Sequence, residues 1–244
     1  MNITAIRGIM SPLMSSMRLR LREFIRITSY RALYLTNRVK IRGDRNAVRH
    51  SSSALIKTST IHINGNNNQV IVGDNSSLES VSVVINGSGH CLQIGAGCTI
   101  RGCAFVLEDD NCTISIGDMT SVEHHSHIAA VEPHSTVTIG NDCMLSSWVD
   151  IRTTDSHSII DQKTQTRINF ARDIVIGDHV WIGMQVLILK GVRIGRDSVV
   201  AARSICTKHA PEGTLIGGAP AHEIKNNISW KRERIGSKEK TSSN

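Results

Sequence analysis

The stretch from Ile176 to Cys206 limits what this chain can fold into more than any other. Branched aliphatic residues begin successive hexads at Ile176, Ile182, Ile188, Ile194 and Val200, Cys206 follows at the same step, and Gly177, Gly183 and Gly195 stand next to three of them. A helix repeats its apolar positions at intervals of three and four and a strand alternates, so a six-residue period calls for short strands separated by turns. Recurrence of this kind predicts a parallel β-helix, in which each coil stacks on the next with the aliphatic ladder inside. The ladder extends backwards through Ile139, Leu145 and Ile151.

A longer period precedes it. The segments IRGDRNAV, INGNNNQV and INGSGHCL start at residues 41, 63 and 85, so Gly43, Gly65 and Gly87 lie 22 residues apart; Gly73, Gly95 and Gly117 keep the same interval, and Gly140 follows at 23. Two glycine series sharing one period predict looser coils of the same solenoid, with about four extra residues per coil in a corner or loop. The run Asn66-Asn67-Asn68 reads as turn chemistry. Aromatic residues make up only 3% of the chain, which suits a narrow prism filled by Ile, Val and Leu.

Charge divides the chain. Residues 1–50 carry eleven Lys and Arg against Glu23 and Asp44, a balance of +9, which leaves −2 for the remainder out of a total of +7. The body is therefore not expected to bind nucleic acid; the basic arm alone suits a polyanion or an anionic membrane surface. Within it, Met14, Met17, Leu21, Phe24 and Ile25 fall near helical spacing among Arg18, Arg20, Arg22, Arg26 and Arg31. Such a basic amphipathic helix could equally lie on the inner membrane leaflet or pack on the first coil with its arginines solvated. No apolar run approaches the roughly 20 residues of a membrane span. The six cysteines form no C-x-x-C pair and read as reduced, mostly buried residues of a cytoplasmic protein.

The ladder stops between residues 157 and 173. This stretch opens after Asp155-Ser156 with His157 and sits between well-formed coils, so it reads as a loop thrown out from a corner, the kind of long loop that more often carries function. Trp181 ends the first hexad after it, where a corner normally takes something smaller.

The sequence DSH, then RINFARDIVIGDHVWIG and later GGAPA at residues 217–221, resembles the hexapeptide-repeat acyltransferases, and in particular the O-acetyltransferases that modify bacterial capsules and other surface polysaccharides. The resemblance covers the C-terminal half closely, and the 22-residue coils are similar to the capsule-modifying branch. It implies a left-handed, three-sided parallel β-helix working as a homotrimer, with acetyl-CoA as acetyl donor, no metal, and a polysaccharide or sugar acceptor, a sialic acid polymer being consistent with that branch. It implies His157 as catalytic base and Trp181 in the active site. An imidazole near pKa 6.5 can take the proton of a sugar hydroxyl as the ester bond forms and release it afterwards. Asp155 or Asp150 could orient that imidazole. No serine elbow or reactive cysteine motif suggests an acyl-enzyme, so transfer is expected to be direct.

For CoA the resemblance points to the later coils: Gly183, Ala201 and Ala202 as small residues beside pantetheine, Arg203 and Lys208 as cations for the phosphates, and Gly218, Ala219 and Lys225 closing over the nucleotide. Arg203 departs from the family pattern, which favours glycine there. The expected organisation is a basic segment over residues 1–38, a β-helix domain over 39–210, and a CoA-closing segment with a basic tail over 211–244. His124, His125, His127 and His134 raise a zinc reading of the γ-class carbonic anhydrase type, but H-H-x-H matches no defined zinc motif. Two other readings stay open: N-acetylation of an amino sugar or nucleotide sugar with the same base, and a non-catalytic β-helix scaffold.

Overall fold

The computed structural model describes residues 36–236. The basic helix expected within residues 1–38, and the membrane contact resting on it, fall almost wholly outside them. Among the described residues no helix is long and apolar enough to cross a membrane.

Among the described residues twenty-four strands, β1 to β24 in chain order, build three sheets that form the sides of a prism. Sheet I has eight strands and starts with β1 (Arg38–Arg42); sheet II has seven and starts with β2 (Ala47–His50); sheet III has nine and starts with β3 (Leu55–Lys57). Each strand up to β23 pairs in parallel with its counterpart one coil away, so the chain visits I, II and III in turn. Antiparallel pairing enters at the C-terminal end, where β24 (Ala221–Lys225) folds back on β23 (Leu215–Gly218).

Every position of the expected ladder is inside. Ile139, Leu145, Ile151, Ile176, Ile182, Ile188, Ile194, Val200 and Cys206 are all buried, and register stacks them: Leu145 on Ile182 on Val200, and Ile151 on Ile188 on Cys206. Each such side chain removed from water is worth about 1.5–3 kcal/mol. The earlier coils continue the column upward from Val83 through fully buried Phe105 to Ile128.

The extra residues of the long coils lie mostly in sheet I and its corner with sheet II. There β7 (Ser82–Ser88) and β10 (Ala104–Asp110) run seven residues, whereas β19 (Leu187–Ile188) and β22 (Ile205–Cys206) run two. The glycines permit this stacking. At Gly65, with φ of +140°, an added Cβ would lie 1.8 Å from the carbonyl oxygen of Gly87, which no side chain tolerates.

Polar ladders close the corners. Asn68, fully buried, accepts from the His90 amide at 2.9 Å and donates to the Gly87 carbonyl at 2.9 Å, while its amide reaches Asn46 at 3.0 Å. The asparagine run is thus turn chemistry, as read. Cys98 and Cys143 fill equivalent corner positions, their amides bonded to Ser76 and Thr120. All six cysteines are free and five are buried, and burial pushes Cys112 and Cys143 up to about 11 and Cys206 to about 12.

Candidate active site

The repeat is interrupted where the sequence says it is. The step from Ile151 to its register partner Ile188 is 37 residues, 14 more than the 23 from Ile128 to Ile151. The excess leaves the I–II corner as a small hairpin: Ile160 bridges Arg167, the Ile168 amide reaches the Ile159 carbonyl at 2.9 Å, and Asp161 caps the turn by accepting from the amides of Lys163 and Thr164.

Two side chains that sequence reasoning missed hold its base. Asn169, 7% exposed, donates to the carboxylate of Asp155 at 2.9 Å and to the His157 carbonyl at 2.8 Å, and accepts from the Ile159 amide at 2.7 Å. Glu132, on the preceding coil, takes both terminal nitrogens of Arg167 at 2.5 and 2.9 Å, the Thr154 hydroxyl and the Ala171 amide. The Arg167 guanidinium, ahead of the remaining bonds, holds the Glu132 carboxyl below its usual range. The only available signal was compositional: an Asn and a Glu in or near an irregular segment.

His157 is exposed near the start of this hairpin, its amide bonded to the Asp155 carbonyl at 2.8 Å. Among the described residues its imidazole makes no hydrogen bond. Neither candidate orienting carboxylate touches it. Asp155 is taken up by Lys190 and Asn169, Lys190 being the foremost cause of its lowered pKa. Asp150 pairs with Arg152 at 2.7 Å and with His127 Nδ1 at 3.2 Å; burial opposes its ionisation, but these bonds bring it down to about 2. Both bonds to Asp155 fall on Oδ2, and Asp150 faces Arg152 and His127, so neither carboxylate is hydrogen-bonded to the His157 imidazole in this structure.

Trp181 opens β18 (Trp181–Ile182) on the outside of sheet III, 39% exposed while Ile182 points inward. It lines a cleft of about 490 Å³ together with Ser121, Met144, Ser146 and Arg232. His157 and Trp181 therefore lie on different sides of the prism.

The eight residues expected at CoA separate by position. Ala201, Ala202 and Arg203 form the III–I corner, Gly183 opens the same corner one coil earlier, and Gly218-Ala219 stack beside them, the Gly218 amide reaching Ser204 Oγ at 3.2 Å. Lys208 sits one corner further on, because a six-residue step advances one side of the prism. Lys225 lies opposite Leu215, at the far end of β23 from Gly218. Gly183 is small for a structural reason: a Cβ there would come within 2.6 Å of the Ala202 amide nitrogen. Arg203 donates to Gln185 at 2.8 Å.

The four histidines scatter likewise. His124 and His125 are exposed on the III–I corner, where His125 stacks on Trp148 at 4.2 Å; His127 is on sheet I with Asp150; His134 is on the I–II corner. Among the described residues no group of three or more His, Cys, Asp or Glu is arranged to hold a metal ion.

Residues 173–208 match the family model of the bacterial transferase hexapeptide, described as six repeats. The crystal structure of the polysialic acid O-acetyltransferase OatWY superposes with a TM-score of 0.76 at 30% identity, covering 83% of this chain and 94% of that one. This chain belongs to the hexapeptide-repeat transferases. Its fold is their left-handed parallel β-helix. Among curated relatives, this hexapeptide transferase is 42% identical over 96 residues to the polysialic acid O-acetyltransferase of Escherichia coli O1:K1 / APEC, covering 39% of this chain and 31% of that protein. It is 35% identical over 120 residues to the putative lipopolysaccharide biosynthesis O-acetyl transferase WbbJ of Escherichia coli strain K12, covering 46% and 60%. The match thus spans less than two thirds of these curated relatives.

Proposed function

We propose that this hexapeptide transferase moves the acetyl group of acetyl-CoA to a hydroxyl of an acidic surface polysaccharide, as a cytoplasmic homotrimer, with His157 as general base. The observation that carries the reading is the exposed imidazole of His157 on a hairpin whose backbone is fixed by Asn169. A base with no internal partner can accept a proton from a substrate hydroxyl, and a fixed backbone keeps it in line. The O-acetyltransferase names of the relatives support the reaction class.

In this scheme the hairpin of one protomer meets Trp181 of the next. The separation of the two residues within a protomer supports that arrangement, as do the exposed Ile159, Ile168 and Phe170 on the hairpin. CoA would follow the III–I edge past Ala202, Arg203 and Gly218-Ala219, with residues 211–236 closing over it. For Lys208 and Lys225 this edge offers no direct part.

Support for an acidic acceptor comes from a second cleft of about 680 Å³ at the hairpin base, lined by Phe170, Arg172, Arg193, His134 and His209. Arg172 and Arg193 have no side-chain hydrogen bond or ion pair among the described residues, so their charge is available to a carboxylated sugar.

The test is thiol release from acetyl-CoA against a panel of neutral and acidic polysaccharides, with His157→Ala as control. Release that requires an acidic glycan and falls by about 10²–10⁴ in the variant, with CoA still bound, is the expected result. Unchanged turnover would remove His157 as base. Lability of the product to mild alkali distinguishes the ester from an amide.

A further inference from the structure

Away from the hairpin, the densest network of aromatic and ionised side chains lies where residues 228–232 cross the II–III corner. The segment follows β24 and is first pinned by the Ile228 amide on the Gly213 carbonyl at 2.9 Å. Trp230, 7% exposed, lies parallel to the His179 imidazole, with ring centroids 4.3 Å apart and 6° between planes, and donates its indole N–H to the His179 carbonyl at 2.7 Å.

His179 has both ring nitrogens against acceptors. Nδ1 is 2.8 Å from Asp142 Oδ2, and Nε2 is 3.0 Å from the Trp230 carbonyl. A neutral imidazole has one N–H and can donate to only one of them; the imidazolium donates to both. Arg232 extends the hold, donating to Asp142 at 3.0 Å, Ser121 Oγ at 3.2 Å, and the carbonyls of Met119 and Cys143 at 3.3 and 3.1 Å. Its guanidinium also covers the Trp230 ring, with Cζ 5.6 Å from the centroid.

This segment reaches the candidate site. The ring of Trp181 lies 6.2 Å from that of Trp230, tilted by 50°, and Arg232 shares with Trp181 the walls of the 490 Å³ cleft. Holding a surface segment still costs backbone entropy, which this network of bonds and ring contacts offsets.

We infer that residues 228–232 are a strap that positions Trp181, with Trp230 and Arg232 setting the indole and the wall of its cleft, and the doubly donating imidazolium of His179 holding the strap down. Trp230 is a positioning residue in this scheme, since it acts through Trp181. The groups facing His179 are Asp142 from the coil before, Asp197 from the coil after with Arg196 paired to it, and Arg232 from the strap; Asp178, next in sequence, is turned to the Asn141 amide. Burial opposes protonation of His179, but the Trp230 carbonyl and the Asp142 carboxylate outweigh it, and its pKa is raised.

The inference rests on the acetyltransferase reading only in its kinetic arm, so the full chain is tested in two ways. Trp148→Phe with Trp181→Phe leaves Trp230 as the sole tryptophan of three. Its emission, quenched by the stacked imidazolium, should rise with pH through a midpoint above the ordinary histidine value of about 6.5. Adding His179→Gln should abolish the transition, and Asp142→Asn should lower its midpoint. In the chain with its natural tryptophans, Trp230→Ala should lower kcat about 10- to 100-fold with the KM for acetyl-CoA within about 2-fold, and Trp230→Phe should recover most of the loss. Emission that ignores pH while His179 is present overturns the clamp, and unchanged kcat in Trp230→Ala overturns the positioning role. A fully active His157→Ala would sink the proposed base and leave the emission result standing.

Discussion

The hairpin after Arg152 and the strap at residues 228–232 are two places where the chain leaves its repeat to cover the prism, and they are built from opposite materials. The hairpin is held by a polar hub, Asn169 and Glu132, beneath exposed Ile159, Ile168 and Phe170. The strap is held by a buried aromatic stack and charge pairs around His179 and Asp142. A hub that satisfies backbone amides fixes the path of a loop while leaving its side chains free to meet something else. A stacked ring fixes its own side chain. The first suits presentation of His157, the second the bracing of Trp181.

The largest effect that could break this contrast is on turnover. His157→Ala should lose about 10²–10⁴, well beyond the loss in Trp230→Ala; equal losses would mean that the strap takes part in the chemistry. Next comes the shared scaffold. Phe105→Ala should destabilise the whole molecule by about 3–5 kcal/mol, measured by denaturant unfolding, because its cavity opens in the column that supports both excursions. Asn169→Ala should cost about 1–3 kcal/mol, felt locally, with faster hydrogen exchange at the Ile159 and Ile168 amides and little change at the Ile228 amide. Uniform acceleration at all three would dissolve the distinction.

The smallest effect is on pH dependence, and it has a direction for each excursion. His179 has a raised pKa, so its contribution is complete below its unfolded value of about 6.5 and is lost as pH rises through the raised value. At Asp142 burial opposes ionisation, but the bonds from His179 and Arg232 prevail and the pKa is lowered; that contribution is present above the ordinary carboxylate range and lost as pH falls through the depressed value. The strap should therefore loosen on both the alkaline and the acid side. In the hairpin, Glu132 and Asp155 are both lowered, so its contribution disappears only on acidification. Exchange at the Ile228 amide, corrected for intrinsic rate, should rise as pH climbs past about 6.5 while that at Ile168 stays level.

Much of the molecule could be read in advance because its regularities are local. Inward positions recur at fixed steps, and a glycine is needed wherever one coil's carbonyl fills the Cβ position of the coil above, as at Gly65. The break at residues 157–173 was legible for the same reason, as a gap in a periodic signal, and it brought His157 with it. The partner of Asp155 was not, since Lys190, which meets one of its carboxylate oxygens, is 35 residues away. Placing the CoA candidates also needed the coordinates: Lys208 lies one corner on from Ala202, and the antiparallel turn from β23 into β24 sets Lys225 opposite Leu215, away from Gly218.

By itself the sequence determined the solenoid, its coil lengths and the site of the excursion, because strand, turn and inward-facing residue are decided within six positions of one another. The tertiary structure alone decided what anchors the strap. Trp230 meets His179 across 51 residues, and Arg232 meets Ser121 across 111. Contacts at such separations leave no period in the chain, since a solenoid returns distant residues to one edge through stacking and not through any local preference.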